Sequence, residues 1–303
     1  MNNLSFFVVG TQKAATTALH DWLVQQPDVS LPTIKETHFF SHPERFDRGF
    51  HWYQQQFSRK AGDVVMGEID PEYMFVESAP LRLRALVSAP KIVFILRHPL
   101  ERAYSHYLMS VRRGYEDLPF VDALLAEPSR LAVPNNDFAM DHFSYMKRGR
   151  YCEQIERYHA VFPDAGFLYV KFEDLVGNTK GGETYERICK FVGVRSAPSL
   201  ANRDKKSNQS SVPKSLFLRN FLYGKSVLKK LLGKLIRSED AKLRLAMFLD
   251  KVNQRPTSGR FDLGEHQFPP GFGEALADDI RSLETLTGLS LVNWINRFPG
   301  TAT

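Results

Sequence analysis

Cysteine is scarce in this chain, and long hydrophobic runs are absent. Its 303 residues include only Cys152 and Cys189, which cannot build a disulfide framework and do not lie in a Cys-x-x-Cys or Cys/His arrangement with zinc-ligand spacing. A reducing, cytoplasmic setting without a structural metal is therefore expected. No stretch approaches the roughly 18 apolar residues of a membrane span. The apolar segment from Leu4 to Val9 has no basic leader and is too short for a signal peptide, so none is expected.

The chain does contain enough apolar and aromatic side chains for a large core. Hydrophobic residues make up 43% of it and aromatic residues 12%, which excludes the disordered and fibrous classes. The formal net charge of +6 favours anionic partners. Charge alone does not distinguish a nucleotide from an acidic glycan, a nucleic acid or a lipid surface, so the motifs must decide.

Three apolar runs are each followed by a polar turn and a helical pattern. The runs cover residues 6–9, 91–96 and 166–172, with polar turns at 10–12, 97–99 and 173–174. Helices are predicted through Leu19, Trp22 and Leu23, over about 104–111, and over about 183–192; a further helix over 154–162 should pack on the sheet. Strands that alternate with helices predict an α/β fold, with a central parallel sheet flanked by helices on both faces. We expect a single domain over 1–303 with a basic insertion at about 203–237.

Ligands of such sheets bind beyond the carboxyl ends of the strands. The segments 10–17 and 97–105 are therefore predicted to converge on one crevice. In the first of them, a turn after the strand delivers Lys13, Thr16 and Thr17 to the start of a helix, where free N–H groups and the helix dipole suit a phosphate or sulfate. A Walker A loop would place its lysine directly before the Ser or Thr, so ordinary P-loop nucleotide hydrolysis is disfavoured. The alternative is that a threonine only caps the helix and Lys13 is a solvated charge.

The segment Gly10-Thr11-Gln12-Lys13-Ala14-Ala15-Thr16-Thr17-Ala18-Leu19 resembles the 5′-phosphosulfate-binding loop of sulfotransferases, Gly-x-x-Lys-x-Gly-Thr-Thr-x-Leu. Ala15 occupies the position of the second glycine. The segment from Lys91 through Arg97-His98-Pro99 to Ser105 is similar to the 3′-phosphate-binding element of the same family. The resemblance implies a P-loop-like sulfotransferase fold that uses 3′-phosphoadenosine 5′-phosphosulfate (PAPS) as donor and releases 3′-phosphoadenosine 5′-phosphate (PAP). It implies binding of the 5′ end by residues 12–17, namely Gln12, Lys13, Ala14, Ala15, Thr16 and Thr17, and of the 3′-phosphate by Arg97 and Ser105.

A third matching element is Lys35-Glu36-Thr37-His38-Phe39-Phe40, which is similar to the Lys-Glu-x-x-Phe-Phe stretch of heparan-type carbohydrate sulfotransferases. The resemblance implies that Glu36 is the catalytic base, and His38 is the second candidate. In an extended segment Glu36 and His38 would share one face, so spacing does not choose between them. Near residues 67–73 the heparan-type enzymes carry a further functional lysine whose equivalent here is Ile69, so heparan-like acceptors are not assigned.

The residues permit an in-line sulfuryl transfer that needs no metal. Lys13 would stabilise the charge that develops on the bridging oxygen of the leaving nucleotide, and Glu36 or His38 would take the acceptor proton. The acceptor is expected to be a small molecule, a glycan or a glycolipid rather than a nucleic acid. An ATP-dependent phosphotransferase and a non-catalytic nucleotide-binding protein are the alternatives.

The segment 203–237 carries ten Lys or Arg and a single acid, Asp204. By resemblance to late basic loops of the family, Lys205 and Lys206 are expected to close over the 3′-phosphate. The leucine-rich basic helix at 215–237 is expected to pack against the domain; peripheral contact with an acidic membrane or a lipid-linked acceptor is the alternative.

Overall fold

The computed structural model describes residues 4–57, 64–177, 180–195, 211–213, 254–256 and 261–297. These residues form two compact units. The first unit takes its described residues from Met1–Pro99, Arg150–Asn208 and Pro269–Thr303, and the second takes them from Leu100–Gly149 and Gln209–Phe268. The expectation of a single domain stays a prediction. The helix predicted at 215–237 lies outside the described residues.

A five-stranded parallel sheet forms the centre of the first unit. Its strands are β1 (Leu4–Gly10), β2 (Val29–Ser30), β3 (Val65–Ile69), β4 (Lys91–Leu96) and β5 (Gly166–Lys171). They lie in the order β2-β3-β1-β4-β5. The carboxyl ends of β3, β1 and β4 are therefore neighbours, which brings together the loops that follow them.

Thirteen α-helices lie within the described residues. They are α1 (Thr16–Leu23), α2 (Pro43–Phe46), α3 (Gly49–Gln54), α4 (Glu72–Phe75), α5 (Ala79–Arg84), α6 (Pro99–Arg112), α7 (Phe120–Leu131), α8 (Asp137–His142), α9 (Tyr151–Val161), α10 (Phe172–Val176), α11 (Gly181–Val192), α12 (Phe272–Thr287) and α13 (Val292–Ile295). The prediction of an α/β fold with a parallel sheet and flanking helices is confirmed.

Apolar side chains of the sheet and of its helices form a continuous core on one face of the sheet. Phe6 and Val8 of β1 pack there with Leu19 of α1 and Ile188 of α11. The predicted helix faces are confirmed, because Leu19, Trp22 and Leu23 are all buried. Helix α9 also contacts the sheet, and its Tyr158 ring lies 5.4 Å from the ring of Phe94 in an edge-to-face arrangement.

Two details of the predicted elements were wrong. The third apolar run was expected to continue to Phe172 and to end in a polar turn, but β5 ends at Lys171 and residues 172–176 form helix α10. Glu173 and Asp174 lie in its first turn, where the helix dipole favours acids. The strands β2 and β3 were not predicted.

The second unit contains helices α6 to α8 and a short antiparallel pair, β6 (Ser211–Pro213) and β7 (Gln254–Pro256). Helix α6 confirms the amphipathic helix predicted over 104–111. Tyr104 of α6 packs edge-to-face on Phe120 at 5.0 Å between ring centroids. Arg102, fully buried, donates to the carbonyl oxygen of Tyr145. No helix in the part of the chain that the structure describes has the length and apolar character needed to cross a bilayer.

Candidate active site

The loop between β1 and α1 is held in an unusual backbone conformation. Lys13 has φ 74° and Ala15 has φ 61°, both in the left-handed region. The Thr11 N–H donates to the carbonyl oxygen of Ile95 at 2.8 Å, and the Ala14 N–H donates to that of Thr11 at 3.2 Å. The side chain of Ala14 is buried in the core, so Ala14 could contribute only its backbone to a ligand. The loop is thus fixed to the end of β4.

Ala15 is the N-cap residue of α1, and no side chain caps this helix start. Thr16 and Thr17 are the first two helical residues, so the alternative in which one of them caps the helix is wrong. The first N–H groups of a helix have no partner within it. Such N–H groups, together with the positive end of the helix dipole, could hold an anion.

Residue 10 must be a glycine because its backbone lies close to the side chain of Met74, and not because of its φ angle. A Cβ atom added to Gly10 would lie 2.7 Å from the Cβ and the sulfur of Met74 in α4. Any side chain at residue 10 would therefore push α4 away from the end of β1.

We expect Ala15→Gly to stabilise the protein by about 0.5–1 kcal/mol. A left-handed alanine costs roughly 1–2 kcal/mol, and the greater freedom of glycine in the unfolded chain offsets about 0.4–1 kcal/mol of that gain. Thermal and urea unfolding of the two proteins would measure the difference. Ala14→Gly is the control, because Ala14 has no positive φ and its methyl group is buried. A destabilising Ala15→Gly would contradict the assignment of strain to Ala15.

Arg97 joins the loop after β4 to the loop after β1. Its Nη1 donates to the carbonyl oxygen of Lys13 at 3.1 Å. Its guanidinium lies over the ring of Phe172 at 4.5 Å, and its own carbonyl oxygen accepts from the Tyr151 hydroxyl at 2.8 Å. Burial lowers the pKa of Arg97, while Tyr151 and Glu173 oppose that shift. Two of the predicted cofactor elements therefore meet at one point of the first unit.

Three other predicted cofactor residues are placed as follows. Ser105 is nearly buried on α6 and belongs to the second unit, and its role stays a prediction. Lys205 and Lys206 lie outside the described residues.

The loop that carries Glu36 and His38 is not extended, so the shared face that an extended segment would give these two residues does not arise. His38 has φ 51°, so its residues do not alternate as in a strand. Glu36 forms an ion pair with its neighbour Lys35, and both side chains are about one-third exposed. Thr37 is buried and its hydroxyl contacts that of Tyr73 at 3.2 Å. Burial lowers the pKa of His20 on α1, and the charges of Lys35 and Glu36 also act on it, so this loop lies near α1.

Two buried carboxylates at the end of β3 hold the loop. Glu68 accepts from the Thr37 N–H at 2.9 Å and from the hydroxyls of Tyr53 and Tyr73 at 2.7 and 2.8 Å. Burial, together with the charge of Asp70, raises the pKa of the Glu68 carboxyl to about 7. Asp70 accepts from the His38 N–H at 2.8 Å. The backbone N–H groups of two successive loop residues are thus fixed by two carboxylates that lie two residues apart at the end of β3.

Neither Glu68 nor Asp70 was predicted to have a role, although both are fully buried. The local sequence held little signal for them, because carboxylates are costly to bury without donors and the donors here come from distant segments. Ile69, between them, is buried in the core. No group of three or more His, Cys, Asp or Glu side chains is arranged to hold a metal ion within the described ranges.

Comparison with known proteins gives this arrangement a family. The profile of the sulfotransferase domain matches residues 4–232. The chain belongs to the sulfotransferase domain family. The match includes the loop after β1, the Glu36–His38 loop and the Arg97 segment.

Curated sulfotransferases are similar to this chain at modest identity. Heparan sulfate glucosamine 3-O-sulfotransferase 6 of Mus musculus is 28% identical over 188 residues, which cover 62% of this chain and 52% of that protein. Bifunctional heparan sulfate N-deacetylase/N-sulfotransferase 3 of Homo sapiens is 32% identical over 202 residues, which cover 62% of this chain and 22% of that protein. The chain thus spans about half or less of the length of these relatives.

A solved sulfotransferase has the same fold. The crystal structure of a sulfotransferase from Alicyclobacillus acidocaldarius superposes with a TM-score of 0.63 at 23% sequence identity. The superposition covers 96% of this chain and 98% of that one. The sulfotransferase fold predicted from the motifs is therefore confirmed.

Proposed function

We propose that this protein transfers a sulfuryl group from PAPS to a hydroxyl or an amine of a small-molecule, glycan or glycolipid acceptor. The observation that carries the proposal is the 3.1 Å hydrogen bond from Arg97 Nη1 to the Lys13 carbonyl oxygen. It joins the two loops that would bind opposite ends of the donor. Membership of the sulfotransferase family supports the reaction class.

The residues present fit a doubly phosphorylated nucleotide. The uncapped start of α1 offers backbone N–H groups to the 5′-phosphosulfate, from a loop that comprises Gln12 to Thr17. The buried Oε1 atom of Gln12 has no hydrogen-bond partner among the described residues, as expected for a group whose partner is a ligand or water. Arg97 supplies a planar fork that matches a phosphate, with Ser105, Lys205 and Lys206 as further proposed ligands of the 3′-phosphate.

The chemical step is an in-line displacement. The acceptor oxygen or nitrogen forms a bond to sulfur, while the bond from sulfur to the bridging oxygen breaks and its electron pair leaves with PAP. We assign Lys13 to the stabilisation of that bridging oxygen, because a cation aimed at charge that develops only in the transition state accelerates the reaction. A base on the 36–38 loop, Glu36 or His38, receives the acceptor proton.

The proposal is less specific for the acceptor than for the donor. The curated relatives are named as enzymes that act on heparan sulfate. In this chain the position expected to carry a second functional lysine is Ile69, whose side chain is buried. We therefore propose an acceptor without the dense negative charge of heparan sulfate. The cytoplasmic location and the membrane contact through 215–237 stay predictions.

Calorimetric titration with PAP, AMP, ADP and ATP with magnesium tests the donor assignment. Binding of PAP at least about tenfold tighter than of AMP is expected, because the 3′-phosphate adds a charge-assisted contact worth roughly 1.5–3 kcal/mol. Equal or tighter binding of ATP with magnesium would overturn the proposal in favour of a phosphotransferase. Sulfate transfer from radiolabelled PAPS to a panel of phenols, amino sugars, neutral oligosaccharides and glycolipids then identifies the acceptor; tight PAP binding without transfer to any of them would indicate a non-catalytic nucleotide-binding protein.

A further inference from the structure

The carboxylate of Asp70 contacts both the backbone N–H and the ring of His38. Its side chain is completely buried, while that of His38 is 27% exposed. One carboxylate oxygen of Asp70 accepts from the His38 N–H at 2.8 Å and lies 3.0 Å from Nδ1 of the same residue. The other accepts from the Glu72 N–H at 3.1 Å and lies 3.2 Å from Nδ1. Asp70 therefore fixes both the backbone and the ring of His38.

The position of Asp70 is itself rigid. It follows directly on β3, and its N–H donates to the carbonyl oxygen of Val8 at 3.1 Å. Its carbonyl oxygen accepts from the Tyr73 N–H at 3.2 Å. The carboxylate is thus anchored to the central strand β1 and to the start of α4, so the ring that it holds has little freedom.

The contacts also decide which ring nitrogen carries hydrogen. A buried carboxylate needs donors, and Nδ1 can donate to Asp70 only when it is protonated. In neutral His38 the hydrogen therefore resides on Nδ1, and Nε2 keeps its lone pair. Among the described residues, no hydrogen bond or ion pair involves Nε2 of His38. Glu36, the other candidate, shares its carboxylate with the Lys35 ammonium group.

We propose that His38 is the base that receives the acceptor proton, and that Asp70 is its positioning residue. This inference rests on the proposed sulfuryl transfer. As the acceptor oxygen bonds to sulfur, its proton moves to Nε2 and the bridging bond breaks toward PAP. The resulting imidazolium is stabilised by Asp70, which stays ionised, and it later returns the proton to solvent. Asp70 does not touch the reacting atoms.

The charged surroundings of His38 define a pH dependence. Burial acts to lower the pKa of His38, but the hydrogen bond and charge of Asp70, with Glu36 and Glu72, raise it above its ordinary value. The ring of His42 lies 5.3 Å away, and Arg45 of α2 donates to the Thr37 carbonyl oxygen. Because only neutral His38 accepts a proton, the rate should rise with pH through this pKa.

The decisive variant is Asp70→Asn, with Glu72→Gln as the matched control. An amide at residue 70 has one oxygen and one NH2 group, so it cannot accept from both backbone N–H groups and from Nδ1–H together. We expect His38 to adopt the Nε2–H tautomer in Asp70→Asn, with a lower pKa. Two-bond proton–nitrogen NMR spectra of histidine-labelled protein, recorded across the pH range and assigned with His38→Gln, would report both quantities. Glu72→Gln also removes a nearby negative charge but should keep the wild-type tautomer.

Measurements of kcat, KM and their pH dependence distinguish a positioning role of Asp70 from a merely structural one. With the panel acceptor that wild type sulfates, Asp70→Asn should lower kcat by about 10²-fold or more with little change in KM, and should move the acidic limb of the profile to lower pH. His38→Gln should lower kcat similarly and abolish that limb. An Nε2–H tautomer in wild type, or wild-type turnover in His38→Gln, would overturn the inference and leave Glu36 as the base. Failure of wild type to bind PAP would instead be a failure of the proposed function.

Discussion

Replacing Lys13 by alanine is expected to lower sulfuryl transfer by about 10²–10³-fold in kcat, the cost typical of removing one fixed group that stabilises developing negative charge. The backbone of Lys13 is held by Arg97 through its carbonyl oxygen, so the variant should keep the loop in place. Alanine also meets the same left-handed φ of 74° as lysine does, since both carry a Cβ. The lost function should therefore be that of the ammonium group.

Radiolabelled transfer at saturating PAPS measures this effect, with PAP affinity as the second readout. PAP lacks the sulfuryl group, so its binding should weaken by only about tenfold or less. Lys91→Ala is the matched control, because Lys91 begins β4 at the opposite end of the sheet from the loop. A fall in kcat no larger than that of Lys91→Ala would show that Lys13 does not stabilise the transition state.

Arg97→Ala is expected to weaken PAP binding by about 10–100-fold, which corresponds to a charge-assisted contact of roughly 1.5–3 kcal/mol. The same substitution should leave AMP affinity nearly unchanged, because AMP has no 3′-phosphate. The ratio of the two affinities therefore isolates the contact between Arg97 and the 3′-phosphate from any general disturbance of the loop.

Two further variants distinguish the charge of the Arg97 side chain from its planar shape, and both from a general effect of losing a buried arginine. Arg97→Lys keeps a cation but loses the planar fork, so an intermediate PAP affinity is expected. Arg157→Ala removes another half-buried arginine that donates to backbone carbonyl oxygens, those of Met74 and Phe75 at 3.3 and 3.2 Å, and should not change PAP affinity. Equal losses of PAP and AMP binding in Arg97→Ala would show that Arg97 acts only on the structure of the loop.

Local apolar pattern was sufficient to predict β1, β4 and β5, because each is an almost unbroken apolar run. β3 has the sequence Val65-Met66-Gly67-Glu68-Ile69, in which a glycine and an acid interrupt the run. Glu68 is buried in a strand only because Tyr53, Tyr73 and Thr37 supply donors from three other segments. No local pattern records donors at such distances along the chain.

The same reason limits what the sequence revealed of the site. Spacing and resemblance pointed to Lys13 and Arg97, and the structure places the two residues in direct contact. They did not reveal that Ala15 would have a left-handed backbone, which explains why a glycine is usual at that position of the motif. The resemblance favoured Glu36 and spacing did not choose between Glu36 and His38, because the contacts of Lys35 with Glu36 and of Asp70 with His38 depend on how the loop folds.

The central position of β1 separates the hydrogen bonds that hold the two loops of the candidate site. On its β4 side the Arg97 contact holds the loop after β1, and on its β3 side Glu68 and Asp70 hold the 36–38 loop. These two sets of hydrogen bonds have no side chain in common. Under the proposed function, the 36–38 loop and the end of β3 can therefore change together without disturbing the hydrogen bond that holds the proposed donor loop.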